Sequence, residues 1–148
     1  VSTLGIASGS RLLLDTSAFI YYLDAHPVYE GRAREIVAGI QAGRFSGFAS
    51  ALVLSELLVP YFKAGDERRA AELREAVTSS ANLRVVPAGA QISTEAARLR
   101  ARFGLRTPDA VHAATALHSN ADVFVTNDAR LRRLREVGLD VWLFDEHL

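Results

Sequence analysis

Short apolar runs that stop at a polar cluster recur along this chain, and stretches of helical spacing separate them. Residues 11–14, 45–49, 83–86, 122–125 and 140–143 have the length and composition of strands. Between and beside them, residues 17–23, 30–42, 66–78, 93–103, 107–118 and 129–137 read as helices. A further helix carries Glu56, with Ser50 as its N-cap and Pro60 placed to kink or split it. Gly104 and Gly138 stand where helices should stop, and Thr107-Pro108 suits a helix start, Thr as cap and Pro at the first helical position. Strands that alternate with helices favour a doubly wound, mainly parallel sheet of four to five strands with helices on both faces, a three-layer α/β fold. In such a fold, ligands bind beyond the carboxyl ends of the strands.

Four carboxylates fall at or near that edge. Asp15 ends the run Leu12-Leu13-Leu14, and Asp128 follows Val123-Phe124-Val125-Thr126-Asn127. Asp109 lies in the first turn of a helix, and Glu56 interrupts an otherwise apolar segment from Leu52 to Val59. Capping or the helix dipole explains Asp15, Asp109 or Asp128 taken singly. Glu56 resists that explanation, because a buried carboxylate needs a partner; Arg106 or Arg44 could supply one, and so could a cation. Like charges that converge call for a counter-charge, and a divalent cation is the natural one.

Other chemistries find less support. The chain has no cysteine, so it has neither a disulfide framework nor a thiolate ligand. Ser17 and Ser55 have no evident histidine base, and no Gly-rich phosphate loop is present. His112 and His118 are poorly spaced for two ligands on one helix face, and a packed or hydrogen-bonded His112 is expected. Phe19, Tyr21 and Tyr22 are expected to pack in the core or an interface. A phosphatase of the haloacid dehalogenase type needs a second Asp at position 17, which is Ser, and a response-regulator receiver needs a late lysine, whereas Lys63 is the only one. The formal net charge is zero, unlike a typical basic nucleic-acid-binding domain, although Arg98 to Arg106 and Arg130 to Arg135 flank the acids. Hydrophobic residues make up 49% of 148, enough for one domain over residues 11–148, with 1–10 as a flexible lead-in. No apolar run reaches membrane-spanning length and no signal-peptide pattern opens the chain, so a cytoplasmic protein is expected.

Four segments together resemble the acidic motifs of PIN-domain nucleases. They are Leu13-Leu14-Asp15-Thr16-Ser17-Ala18-Phe19-Ile20, Ser55-Glu56-Leu57, Pro108-Asp109-Ala110-Val111-His112-Ala113-Ala114-Thr115-Ala116 and Val125-Thr126-Asn127-Asp128. Their order and spacing are similar to those of VapC-like toxins of toxin–antitoxin pairs. The resemblance implies an endoribonuclease dependent on one or two Mg²⁺ or Mn²⁺ ions, leaving 5′-phosphate and 3′-hydroxyl ends. It implies Asp15, Glu56, Asp109 and Asp128 as catalytic metal ligands, with Thr16, Thr126 and Asn127 as polar support. It further implies a homodimer and a VapB-like antitoxin whose tail occupies the groove. Arg106 and Arg130 are candidate RNA contacts. A PIN-fold nuclease of RNA processing, or an inactive interaction module of the same fold, are the competing expectations.

Overall fold

A computed structural model describes residues 4–148. Five parallel strands form one sheet: β1 (Arg11–Leu14), β2 (Ser46–Ser50), β3 (Leu83–Val86), β4 (Val123–Thr126) and β5 (Asp140–Leu143), in the order β3-β2-β1-β4-β5. The chain winds outward from β1 through β2 to β3, then crosses back to place β4 on the other side of β1. The β1/β4 junction is therefore the point where the winding reverses, the place at which open α/β sheets form a crevice. Register sets Leu14 of β1 against Val125 of β4, and the Asp15 amide donates to the Val125 carbonyl at 3.2 Å. The segments that end in Asp15 and lead to Asp128 thus leave the sheet side by side.

Both faces of the sheet are covered, as the near-continuous apolar strands require. The period-two alternation of a strand sends Leu12, Leu14, Val123, Val125 and Trp142 to one face. There they meet α1 (Thr16–Leu23), α2 (Glu30–Gln41), α3 (Leu52–Leu57) and α5 (Glu67–Thr78). Leu13, Phe48, Phe124, Val141 and Leu143 point to the other, against α6 (Ala90–Phe103) and α7 (Thr107–His118). Ala110, Ala113, Ala114 and Ala116 of α7 are fully buried, and their small side chains let that helix sit close on the sheet. Pro60 does divide its helix: α3 ends at Leu57 and α4 (Val59–Lys63) begins with Pro60 in its first turn, where a missing amide costs nothing.

Several local details differ from expectation. Residues 4–10 are not a loose lead-in. Leu4 and Ile6 are buried, and the Trp142 indole donates to the Leu4 carbonyl at 2.8 Å. An apolar residue on every second position suffices to dock that segment; residues 1–3 lie outside the described part. Ala51, not Ser50, is the N-cap of α3, yet the Ser50 hydroxyl accepts from the Leu52 amide at 3.2 Å, so it satisfies a free donor from one position earlier. Arg106 rather than Thr107 caps α7, which puts Pro108 second in the helix. α6 begins three residues earlier than its apolar spacing suggested, at Ala90. Residues Ala129–Val137 form 3-10 turns instead of an α-helix. Leu131 and Leu134 are both buried, and with three residues to a turn they stand directly above one another on one side.

Gly39 of α2 shows how tightly one core corner is filled. A Cβ there would lie 2.6 Å from the Phe45 ring, which is itself fully buried. Gly39→Val is expected to destabilise the protein by about 2–3 kcal/mol through overpacking. Urea denaturation reads this, and a cost under about 0.5 kcal/mol, the range of neutral surface changes, contradicts the packing described.

Candidate active site

The β1/β4 crevice opens into a cavity of about 400 Å³ lined by Asp15, Thr16, Ser17, Tyr21, Glu56, Arg106, Pro108, Asp109, His112, Thr126, Asn127, Asp128 and Ala129. All four candidate acids line it, and they come from four separate segments of the chain. Thr16, Thr126, Asn127 and Arg106 line it too; Arg130 stands outside and reaches in to Asp128.

Asp15 is the deepest of the four. It caps α1, accepting from the Ala18 amide at 3.3 Å and from the Ser17 hydroxyl at 2.5 Å. Its partners are hydroxyls and an amide, and it forms no ion pair among the described residues. Burial pushes its carboxyl above the ordinary aspartate range, against hydrogen bonds from Ser17 and Thr126 that pull the other way. The Thr126 hydroxyl also accepts from the Asp128 amide at 3.2 Å. One buried hydroxyl therefore orients Asp15 by its side chain and Asp128 by its backbone. Thr126→Val keeps the shape but leaves both partners short of a bond. It should destabilise the fold by about 1–3 kcal/mol, read as a lowered melting temperature. An unchanged melt would show that the hydroxyl does not bridge the two acids.

Glu56 projects from α3 toward α7. Thr16 Oγ1 donates to its Oε1 at 2.6 Å, and His112 Nε2 lies 3.3 Å from the same oxygen. The hydrogen bond from His112 is the main reason that the Glu56 carboxyl is held below its ordinary range. The partner is thus a histidine and a threonine, and not Arg44, whose guanidinium lies over Phe45; Arg106 acts on Glu56 only from a distance. His112 is buried, and its Nδ1 has no hydrogen-bond partner. With the proton on Nε2, the ring donates to Glu56 and leaves Nδ1 as a bare lone pair. His112 is the site residue that the linear sequence undervalued. Its offset of three from Asp109 was the available signal, since it sets both on neighbouring faces of α7.

Asp109 and Asp128 are the pair held by arginines; both are partly buried, and Glu56 is the most exposed of the four acids. Arg106 Nε lies 3.1 Å from Asp109 Oδ2, and Arg130 grips Asp128 in a fork, with NH2 at 2.6 Å from Oδ2 and Nε at 3.0 Å from Oδ1. That fork holds the Asp128 carboxyl below the ordinary aspartate range. Asn127 does something other than support a carboxylate. It donates to the Tyr21 hydroxyl at 3.3 Å and accepts from the Asp145 amide at 3.0 Å, which ties the end of β4 to α1 and to the turn after β5. Tyr21 in turn packs among His26, Tyr29 and Phe144. Phe19 is core, whereas Tyr22 is 39% exposed.

Whether this donor set suits a divalent ion turns on two observations. The chemistry fits: carboxylate and hydroxyl oxygens are the ligands hard cations take, and Asp15 is a buried carboxylate with no cationic partner of its own. The side chains are not drawn together around one point: among the described residues no three His, Asp or Glu stand as a ready-made metal group. Arg106, Arg130 and the Thr16–His112 pair each hold one acid aside. Closing on an ion requires these acids to leave their present partners.

The family model described as PIN domain matches residues 12–137. Among solved structures, FitAcB from Neisseria gonorrhoeae is similar at 20% identity, TM-score 0.66, over 93% of this chain and 99% of that one. VapBC2 from Rickettsia felis bound to a DNA fragment from its promoter is similar at 21% identity, TM-score 0.65, over 89% and 98%. A toxin–antitoxin complex from Klebsiella pneumoniae is similar at 22% identity, TM-score 0.60, over 80% and 87%. No curated protein matches the chain by sequence.

Proposed function

From a chain that belongs to the PIN-domain family, we propose a metal-dependent endoribonuclease that acts as the toxin of a toxin–antitoxin pair. One observation carries the enzymatic part. Four acids from distant segments, with two threonines to aim them, share one cavity at the point where the sheet reverses its winding. The toxin part draws on similarity to complexes whose names are those of toxin–antitoxin pairs. A VapB-like antitoxin partner and a homodimer belong to the same proposal. No helix among the described residues is long and apolar enough to cross a membrane.

Asp15, Glu56, Asp109 and Asp128 would hold the ion, Mg²⁺ or Mn²⁺. What such an ion supplies when bound is a hydroxide nucleophile near neutral pH and positive charge for the phosphorus-bound oxygens. The remaining work falls to the chain. Thr126 keeps Asp15 and Asp128 in register with each other. Thr16 and His112 fix the rotamer of Glu56 and keep it ionised. Pro108 and Ala129 line the same cavity without a charge to compete for the ion. Once aimed at one point, the four carboxylates would orient the reacting groups and so convert a random encounter into an oriented one.

The test is cleavage of defined RNA oligonucleotides by metal-stripped protein, with Mg²⁺, Mn²⁺ or EDTA added, and mapping of the product ends. Metal-restored cutting with 5′-phosphate products supports the proposal. Cutting that persists in EDTA, or no cutting under any metal, rejects it. Co-purification with the product of an adjacent small gene, and inhibition by it, test the toxin assignment separately.

A further inference from the structure

Two of the four acids are already paired with arginines that make no other side-chain hydrogen bond or ion pair among the described residues. Arg106 reaches Asp109 across one helical turn, and Arg130 clasps Asp128 from two residues away. Both arginine side chains are largely exposed, at 68% and 75%, and their hydrogen bonds run to the carboxylates alone. Exposed pairs of this kind are weak and readily exchanged. The cluster is also coupled, since Asp128 feels Arg106 and Arg130 feels Asp109.

Behind these pairs lies a second cavity, of about 440 Å³, and both acids stand in the wall shared by the two. Phe103, Leu105 and Leu131 form its apolar side, and Arg106, Arg130 and Arg133 line the rest. Arg133 is pre-set there: its guanidinium lies 5.1 Å from the Phe103 ring centre and donates to the Phe103 carbonyl at 3.3 Å.

We propose that Arg106 and Arg130 are displaceable counter-ions. A divalent cation entering the carboxylate cavity takes Asp109 and Asp128 from them. The released guanidiniums, together with Arg133, then hold a phosphate of the RNA backbone in the adjoining cavity. This rests on the metal-dependent cleavage proposed above. A carboxylate cannot serve a bidentate guanidinium and a dication at full strength, and the dication carries twice the charge. A freed guanidinium presents the planar fork that matches a phosphate. The phosphate site thus forms only once the cutting site is loaded, so metal binds first and RNA second.

Calorimetric titration of the full, EDTA-stripped chain with Mn²⁺ alone tests the exchange. The double variant Arg106→Gln/Arg130→Gln should bind Mn²⁺ about three- to tenfold more tightly than wild type, because its internal competitors are gone. Arg133→Gln removes a nearby positive charge that is paired with no acid, and should stay within about twofold of wild type. At saturating Mn²⁺, the KM for a short RNA should rise about tenfold in the double variant, with kcat changed less. Equal or weaker Mn²⁺ binding in the double variant, or the same gain in Arg133→Gln, overturns the exchange. An unchanged KM overturns the phosphate role. If wild type takes up no Mn²⁺, the metal proposal itself falls and the exchange with it, an outcome visible before any variant is compared. Circular dichroism confirms that the variants are folded.

Discussion

Asp15→Asn is expected to lower RNA cleavage by about a thousandfold or more, since even residues that only orient a metal ligand are worth about 10–100-fold. The substitution keeps the shape and the hydrogen bonds that matter to folding. An Asn carbonyl still accepts from Ser17 and from the Ala18 amide. What it removes is a buried charge without an ion-pair partner. The folded carboxyl ionises above its ordinary range because burial disfavours the charged form. Between the ordinary value and the raised one, the unfolded chain binds fewer protons than the folded one. Metal-free stability of wild type therefore declines as pH climbs through that window and stays lower above it. The variant lacks this decline. At neutral pH without metal it should be as stable as wild type or more so, and the difference should vanish in acid. Gel assays and thermal melts across pH measure both halves. A variant that cuts like wild type removes Asp15 from the reaction, and one that is strongly destabilised at neutral pH shows that its charge is balanced by something other than an added ion.

Saturating Mn²⁺ should raise the melting temperature of wild type by roughly 5–10 °C. An ion at about a hundred times its dissociation constant stabilises by about 2.7 kcal/mol. For a domain of this size each kcal/mol moves the midpoint by roughly 2–4 °C. EDTA should reverse the shift, and Asp15→Asn should abolish most of it. Scanning fluorimetry against metal concentration is sufficient. A wild-type midpoint that does not move at millimolar Mn²⁺ contradicts the assignment of these acids to a cation.

The sheet was legible because strand burial and helix periodicity leave separate marks in sequence. Leu12-Leu13-Leu14 and Val123-Phe124-Val125 are apolar at every position because both faces are covered, and the helices between them exclude an antiparallel meander. From the same reasoning came the expectation that Asp15 and Asp128 leave the same edge, and the structure sets their segments on adjacent strands. The order of strands was not written in any local pattern. It depends on which crossover packs best, a property of the assembled layers. Residues 4–10 were misjudged because Leu4 and Ile6 look like isolated apolar residues until Trp142 and the first core cluster are in place. The turns after Asp128 were taken for an α-helix because the arginines between Leu131 and Leu134 mimic an amphipathic face.

At the site, residue types were readable and pairings were not. That four acids would line one cavity could be argued from charge and topology. Which cation or hydroxyl would hold each one depends on rotamers. Arg130 reaches back two residues to Asp128, a contact that no helical spacing rule anticipates. His112 was expected to be hydrogen-bonded, as it is, but its partner is an acid 56 residues away. Asn127 follows the same logic in reverse: its neighbours in sequence suggested support for Asp128, and tertiary packing gave it to Tyr21 and the Asp145 amide instead.

A side chain that starts a helix keeps a structural duty whether or not its charge serves a reaction. Asp15 begins α1, so a descendant freed from selection for cutting would drift there to Asn or Ser, which start helices equally well, sooner than to an apolar residue. On the proposed mechanism, such a descendant would keep the whole architecture and lose the cation.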